Sequence, residues 1–165
     1  EETVSAHEAV RLAGFVKQMM PSTVVVAGGP HFSYMVGDTL LNQPVDFVIR
    51  GEGEYPLRDL VGELRGGRNF SSVPNLSYVA RGQIVSNPFG PPVDMESLPM
   101  AAYDLLPMER YGKGATSHPD LVAVEHSRGC TCSCNFCVLW KQFGQAAGDR
   151  VVPCYRTKSP EKTRA

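Results

Sequence analysis

The stretch Thr23-Val24-Val25-Val26-Ala27-Gly28-Gly29-Pro30-His31 decides the fold. Four β-branched residues in a row, then alanine, make a continuous apolar run of the kind buried on both faces of a parallel sheet. Gly28-Gly29-Pro30-His31 is the turn at its carboxyl end. Upstream, Ala9, Leu12, Ala13, Val16 and Met20 recur at helical intervals and predict an amphipathic helix over residues 4–20, ended by Pro21 and Ser22. Downstream, a second helix is expected from Ser33 to Leu41, with Asn42 to Pro44 as its exit. Asp46-Phe47-Val48-Ile49 is a second strand and Gly51-Glu52-Gly53-Glu54 its turn. Pro56 opens a third helix whose Leu57, Leu60, Val61 and Leu64 share a face, and Gly66-Gly67 closes it.

Helix, strand, helix, strand, helix is the order of an open α/β sheet. Such sheets bind ligands in the crevice at the carboxyl ends of their strands, where both glycine turns fall. Glycine lets backbone approach a ligand closely and leaves amides directed into the crevice.

Asn75 to Val85 reads as a hairpin turning at Ala80-Arg81-Gly82-Gln83. From Asn87 to about Asp120 the chain carries Pro88, Pro91, Pro92, Pro99, Pro107 and Pro119, yet Leu98, Tyr103, Leu105, Leu106, Met108 and Tyr111 are interspersed. A free linker is more polar, so this segment is expected to lie packed between two domains. Val138-Leu139-Trp140 predicts the apolar start of a helix. Gly144 to Arg150 is expected to be a flexible loop, and Val151-Val152 is too short to assign.

Four of the five cysteines fall between Cys130 and Cys137. Cys130, Cys134 and Cys137 form C-x-x-x-C-x-x-C, with Phe136 just before the third. Thiolates this close in sequence can converge on one metal centre, and soft sulfur selects iron–sulfur clusters, zinc or copper(I). A 4Fe–4S cluster held by three cysteines keeps one iron open to a substrate. Two closed alternatives stand beside it: a structural zinc site in which Cys132 and Cys154 join two other cysteines, or a ferredoxin-like cluster with Cys132 or Cys154 as the fourth ligand. An odd cysteine count argues against a disulfide framework.

Cys130, Cys134, Phe136 and Cys137 resemble the C-x-x-x-C-x-aromatic-C signature of radical S-adenosylmethionine enzymes. The resemblance implies a 4Fe–4S cluster on the three cysteines and S-adenosylmethionine chelating the open iron. Reduction then cleaves it to methionine and a 5′-deoxyadenosyl radical. Phe136 is implied to pack against the cluster or the adenine edge, and Cys132 and Cys154 to be spare. Leu121-Val122-Ala123-Val124 looks like the family's first barrel strand. An electron donor of flavodoxin or ferredoxin type and a small-molecule substrate are also implied.

The two glycine turns, lying upstream of the cysteines, resemble the cobalamin-binding domain of one subgroup of that family. On this resemblance Gly28, Gly29, Pro30, His31, Gly51, Glu52, Gly53 and Glu54 border the corrin and its nucleotide tail. Tyr103-Asp104-Leu105-Leu106 resembles the subgroup's interdomain segment. Members methylate unactivated carbons or rearrange rings. On the residues alone, His31 reads as a polar residue at a helix entry, and Glu52 and Glu54 as partners of the third helix's dipole. The cobalt-ligating pattern D-x-H-x-x-G does not occur in these 165 residues.

The expected architecture is therefore α/β. Residues 1–86 would be the C-terminal part of a Rossmann-like cobalamin-binding domain, 87–119 a connector, and 120–165 the start of a radical S-adenosylmethionine partial (β/α) barrel. Ser159-Pro160-Glu161 is a helix opening with only four residues after it, so the sequence reads as an internal piece of a longer protein, inactive by itself. A formal net charge of -1 offers no basic field for nucleic acid. No apolar run approaches the ~20 residues of a membrane span. Clustered thiols suit the reducing cytoplasm.

Overall fold

The computed structural model describes residues 3–107, 124–148 and 150–164. Its first part is a four-stranded sheet in the order β1-β2-β3-β4, made of β1 (Val26–Ala27), β2 (Phe47–Ile49), β3 (Leu76–Ala80) and β4 (Gln83–Ser86). β1 and β2 are parallel, pairing Val26 with Phe47 and Ala27 with Val48. The hairpin β3–β4 then adds antiparallel to β2, so the sheet is mixed. Its turn residues Arg81 and Gly82 have φ of 52° and 76°, the left-handed pair that matches the twist of two-residue hairpins.

Alternation along β2 sorts the core into two layers. Val48 faces one side with Ala6, Ala27, Phe32 and Leu40. Phe47 and Ile49 face the other with Leu60, Val73 and Leu76. The first layer is covered by α1 (Thr3–Met19), α2 (Pro30–Tyr34) and α3 (Val36–Asn42), the second by α4 (Glu54–Arg65). Val48, Leu60 and Leu76 are fully buried, each burial being worth about 1.5–3 kcal/mol.

Several expected boundaries move. The strand expected over 23–27 pairs only at Val26 and Ala27. β1 is the edge strand of the described sheet, and Val24 is left exposed. The Val25 carbonyl still accepts the Asp46 N–H at 2.9 Å, while the Asp46 carboxylate accepts the Val25 N–H at 2.7 Å and the Lys17 ammonium at 2.6 Å. On α1 the buried positions are Ala6 and Ala13, while Leu12 and Met20 of the expected stripe are exposed. The face the helix turns to the core runs through Ala6, Ala9, Val10 and Ala13. The single helix expected at 33–41 begins at Pro30 and breaks at Met35 into α2 and α3. The third helix begins at Glu54, with Pro56 inside its first turn, where a missing N–H costs nothing.

The proline-rich segment is packed only in part, and Phe89, Leu105 and Leu106 are exposed. Val93, Met95 and Leu98 form a third small core against Tyr55. Met108, Tyr111, Pro119 and Leu121 to Ala123 lie outside the described residues, and with them most of the expected first barrel strand. Val124 is exposed and belongs to no strand.

Beyond it, β5 (Ser127–Gly129) pairs antiparallel with β8 (Tyr155–Thr157). β6 (Gln145–Ala147) pairs antiparallel with β7 (Arg150–Val152). The expected loop at 144–150 is thus mostly hairpin, turning at Gly148 with φ 60°. α5 (Leu139–Gln142) is a single turn at the expected place. Ser159 caps α6 (Pro160–Arg164) as expected, its Oγ accepting the Lys162 N–H at 3.1 Å. Among the described residues, parallel pairing occurs only between β1 and β2, and no helix is long and apolar enough to cross a membrane.

Candidate functional site: a cleft at the strand ends beside a cysteine loop

Both glycine turns open onto one cleft of about 400 Å³ at the carboxyl ends of β1 and β2. Val26, Ala27, Ile49 and Leu57 supply its apolar wall. Gly28, Gly29, Pro30, Gly51, Glu52, Gly53 and Glu54 all line it. Leu57 is half exposed despite its place on the apolar face of α4, because that face looks into the cleft here. Glu125, Arg128, Gln142 and Phe143 close the other side, so the segment that carries the cysteines shares this cleft.

Of the positions singled out in the two turns, His31 alone is not part of the lining. It sits in the first turn of α2, its Nδ1 3.2 Å from the Thr3 hydroxyl and its ring edge-on to Phe32. That is the helix-entry role read from the residues.

The turns hold their shape for local reasons. Gly29 (φ 90°) and Gly51 (φ 69°) need a left-handed backbone that glycine alone adopts freely. Gly28 and Gly53 do not. A Cβ at Gly53 would rest 3.7 Å from the Ile49 side chain, and one at Gly28 3.5 Å from the Ile49 carbonyl, both ordinary contacts. Ser33 ties the turns together: its hydroxyl donates to the Gly29 carbonyl at 2.7 Å and accepts the Gly51 N–H at 3.0 Å. Nothing in the sequence marked Ser33, because its second partner lies eighteen residues away on another element.

Glu52 is not a simple partner of the helix dipole. Its carboxylate accepts from Arg128 at 2.9 Å, from Arg156 at 3.0 Å and from the Val93 N–H at 3.0 Å. Arg128 also pairs with Glu54 and Glu125. Burial alone would lower the Arg128 pKa, but hydrogen bonds to Glu125, Glu54 and Glu52 outweigh it and push it up. For Glu54, burial works upward, and the Arg128 hydrogen bond and charge overcome it to hold the carboxyl below its usual range.

Cys130 to Cys137 form an exposed loop between β5 and α5. Cys130 and Cys137 are half-buried, Cys132 and Cys134 exposed, and Phe136 is 88% exposed. The Cys130 Sγ accepts the Cys132 N–H at 3.3 Å, an interaction also suited to a ligating thiolate. Trp140 holds the loop by donating its indole N–H to the Cys134 carbonyl at 2.8 Å. Among the described residues no three His, Cys, Asp or Glu side chains are gathered closely enough to hold a metal. The donor chemistry suits an iron–sulfur cluster, while the thiols stand apart along the loop.

Comparison with known proteins adds an independent line. Residues 2–61 match the family model described as the B12 binding domain. The chain is 34% identical over 145 residues to an uncharacterized methyltransferase of Pyrococcus horikoshii, covering 87% of this chain and 31% of that protein. It is 29% identical over 141 residues to the anaerobic magnesium-protoporphyrin IX monomethyl ester cyclase of Synechocystis, covering 82% of this chain and 27% of that protein. To a cobalamin-dependent radical SAM methyltransferase of Streptomyces tokunonensis it is 31% identical over 134 residues, covering 78% of this chain and 19% of that protein. The chain thus spans at most about a third of the length of these relatives.

Proposed function

We propose, on the premise that residues 2–61 belong to the B12-binding domain family, that this chain is the cofactor-bearing part of a cobalamin-dependent radical S-adenosylmethionine enzyme. The cleft would take the edge of the corrin or its nucleotide tail. Cys130, Cys134 and Cys137 would hold a 4Fe–4S cluster, with S-adenosylmethionine on the open iron. Residues 1–86 would form the cobalamin-binding part, 87–119 the connector and 120–165 the start of the radical domain.

One observation carries the reading: seven positions of the two glycine turns and three residues flanking the cysteine loop, Arg128, Gln142 and Phe143, line the same cleft. Two cofactors that exchange a methyl group or act on one substrate need such proximity. When bound, the cluster supplies the electron that cleaves S-adenosylmethionine, and cobalamin supplies a methyl carrier.

The protein's own residues do the positioning. Gly28 and Gly53 leave the wall smooth where their own backbone does not demand glycine. The Ser33 hydroxyl keeps the two turns at a fixed spacing. Gln142 donates to the Gly51 carbonyl at 3.2 Å and joins the turn to α5. Trp140 fixes the backbone at Cys134. The reaction would be methyl transfer to an unactivated carbon, or ring rearrangement, on a small-molecule substrate, with a flavodoxin- or ferredoxin-type donor.

The test is cofactor content. Full-length protein reconstituted anaerobically should hold about four irons per chain and retain cobalamin through gel filtration. A protein that binds zinc without sulfide and never retains cobalamin would overturn the proposal.

A further inference from the structure

Arg128 and Arg156 are cross-strand partners in the β5–β8 ladder. Like charges placed opposite each other destabilise a sheet, and here both side chains are nearly buried, 11% and 15% exposed. Glu52, itself 8% exposed, meets both of them. Its Oε1 accepts from Arg128 Nη1 at 2.9 Å and Arg156 Nη1 at 3.0 Å, and its Oε2 accepts from Arg156 Nη1 at 3.0 Å. The Val93 N–H adds a third donor, at 3.0 Å to Oε2. Arg156 reaches on to the carbonyls of Val93 and Phe143, at 2.6 Å and 3.2 Å. One carboxylate at the end of β2 therefore holds together the ladder whose first strand runs directly into Cys130.

We infer that Glu52 is a positioning residue that clamps the cysteine loop against the cleft, through Arg128 on one strand and Arg156 on the other. The carboxylate is saturated by protein donors, so the part its oxygens play at the cleft wall is to fix the loop. Without it, two buried guanidinium groups face each other with one shared counter-charge gone. That is the costly way to break a buried ion pair. The functional meaning of the clamp rests on the cofactor reading above: a cluster carried on this loop would stand at a set distance from a corrin in the cleft.

Two measurements on the full-length protein decide it. Amide hydrogen exchange in the cofactor-free protein should show residues 127–129 and 155–157 exchanging about tenfold faster or more in Glu52→Gln, with residues 47–49 unchanged. Arg128→Lys keeps a charge but loses the fork that spans several carboxylates, and should give an intermediate increase. It also decides the matter if Glu52→Gln fails to fold. Unchanged exchange at residues 127–129 in the folded variants would overturn the clamp.

In protein loaded with both cofactors, pulsed electron paramagnetic resonance should give a narrow distance distribution between cob(II)alamin and the reduced cluster. Glu52→Gln should broaden it among the molecules that carry both cofactors. An unchanged distribution would overturn the positioning role. Because the exchange measurement needs no cofactor, a wild-type protein that bound neither would sink the functional reading alone, and raised exchange would still support the clamp.

Discussion

A Cβ on Gly129 would lie 1.7 Å from the carbonyl oxygen of Cys154. β5 passes so close to the start of β8 that the residue before Cys130 has no room for any side chain, and its φ of 88° suits glycine as well. Cys154 thus meets the motif through its backbone. Gly129→Ala should cost about 2 kcal/mol or more of local stability, because backbone meets backbone and neither can yield cheaply. Iron loading should fall with it while cobalamin retention persists. Full iron content in Gly129→Ala would contradict this account of the loop.

The glycine turns offer a cleaner probe at Gly53 than at Gly29. Gly29→Val would strain its own left-handed backbone whatever the cleft contains. Gly53→Val meets only ordinary contact at its Cβ, so its effect reports on the occupant. Cobalamin affinity, followed by corrin absorbance, should weaken about tenfold or more, a loss of ~1.4 kcal/mol, with iron–sulfur absorbance intact. Unaltered affinity would place the corrin elsewhere.

Cysteine substitution separates the open cluster from its closed alternatives. Cys132→Ala and Cys154→Ala should each keep about four irons per chain, whereas Cys130→Ala, Cys134→Ala and Cys137→Ala should lose most of them. Loss of the cluster in Cys132→Ala would favour a closed four-cysteine site.

The residues around Arg128 imply an acid-sensitive contact. Glu54 is held below its ordinary value of 4.5, chiefly by Arg128 working against burial. A carboxyl depressed in the folded state stabilises it fully above the unfolded value, and that stabilisation fades as pH falls through the folded value. Proteolysis of the cofactor-free protein between β5 and β8 should therefore accelerate as pH drops below 4.5. Glu54→Gln should flatten that dependence. An identical pH profile in the variant would rule Glu54 out as the sensitive group.

What the sequence disclosed depended on range. Clustered β-branched and aromatic residues announced strands that form at Val26–Ala27 and Phe47–Ile49 but do not reach back to Thr23, and Gly28 to Pro30 and Gly51 to Glu54 marked the cleft edge through turn chemistry. That Cys130, Cys134 and Cys137 share one loop was legible from spacing, while among the described residues their side chains are not gathered at one point. The rotation of α1 was not legible, since Leu12 and Ala13 both fit a helical stripe and only tertiary packing decides which is buried. β5 to β8 escaped notice because strands of three residues carry almost no periodicity. Glu52 reaches Arg128 across 76 residues and Arg156 across 104, a pairing no local pattern encodes.

A cluster with one open iron on the cysteine loop, beside a cobalamin cleft, is the core of the proposed function. It is tested most directly by adding S-adenosylmethionine to the reduced full-length protein and recording the cluster's electron paramagnetic resonance signal. A new nitrogen and oxygen ligand on one iron should change the spectrum, and 5′-deoxyadenosine should accumulate slowly under a strong reductant. A cluster-replete protein whose spectrum ignores S-adenosylmethionine, and which forms no 5′-deoxyadenosine, would contradict it.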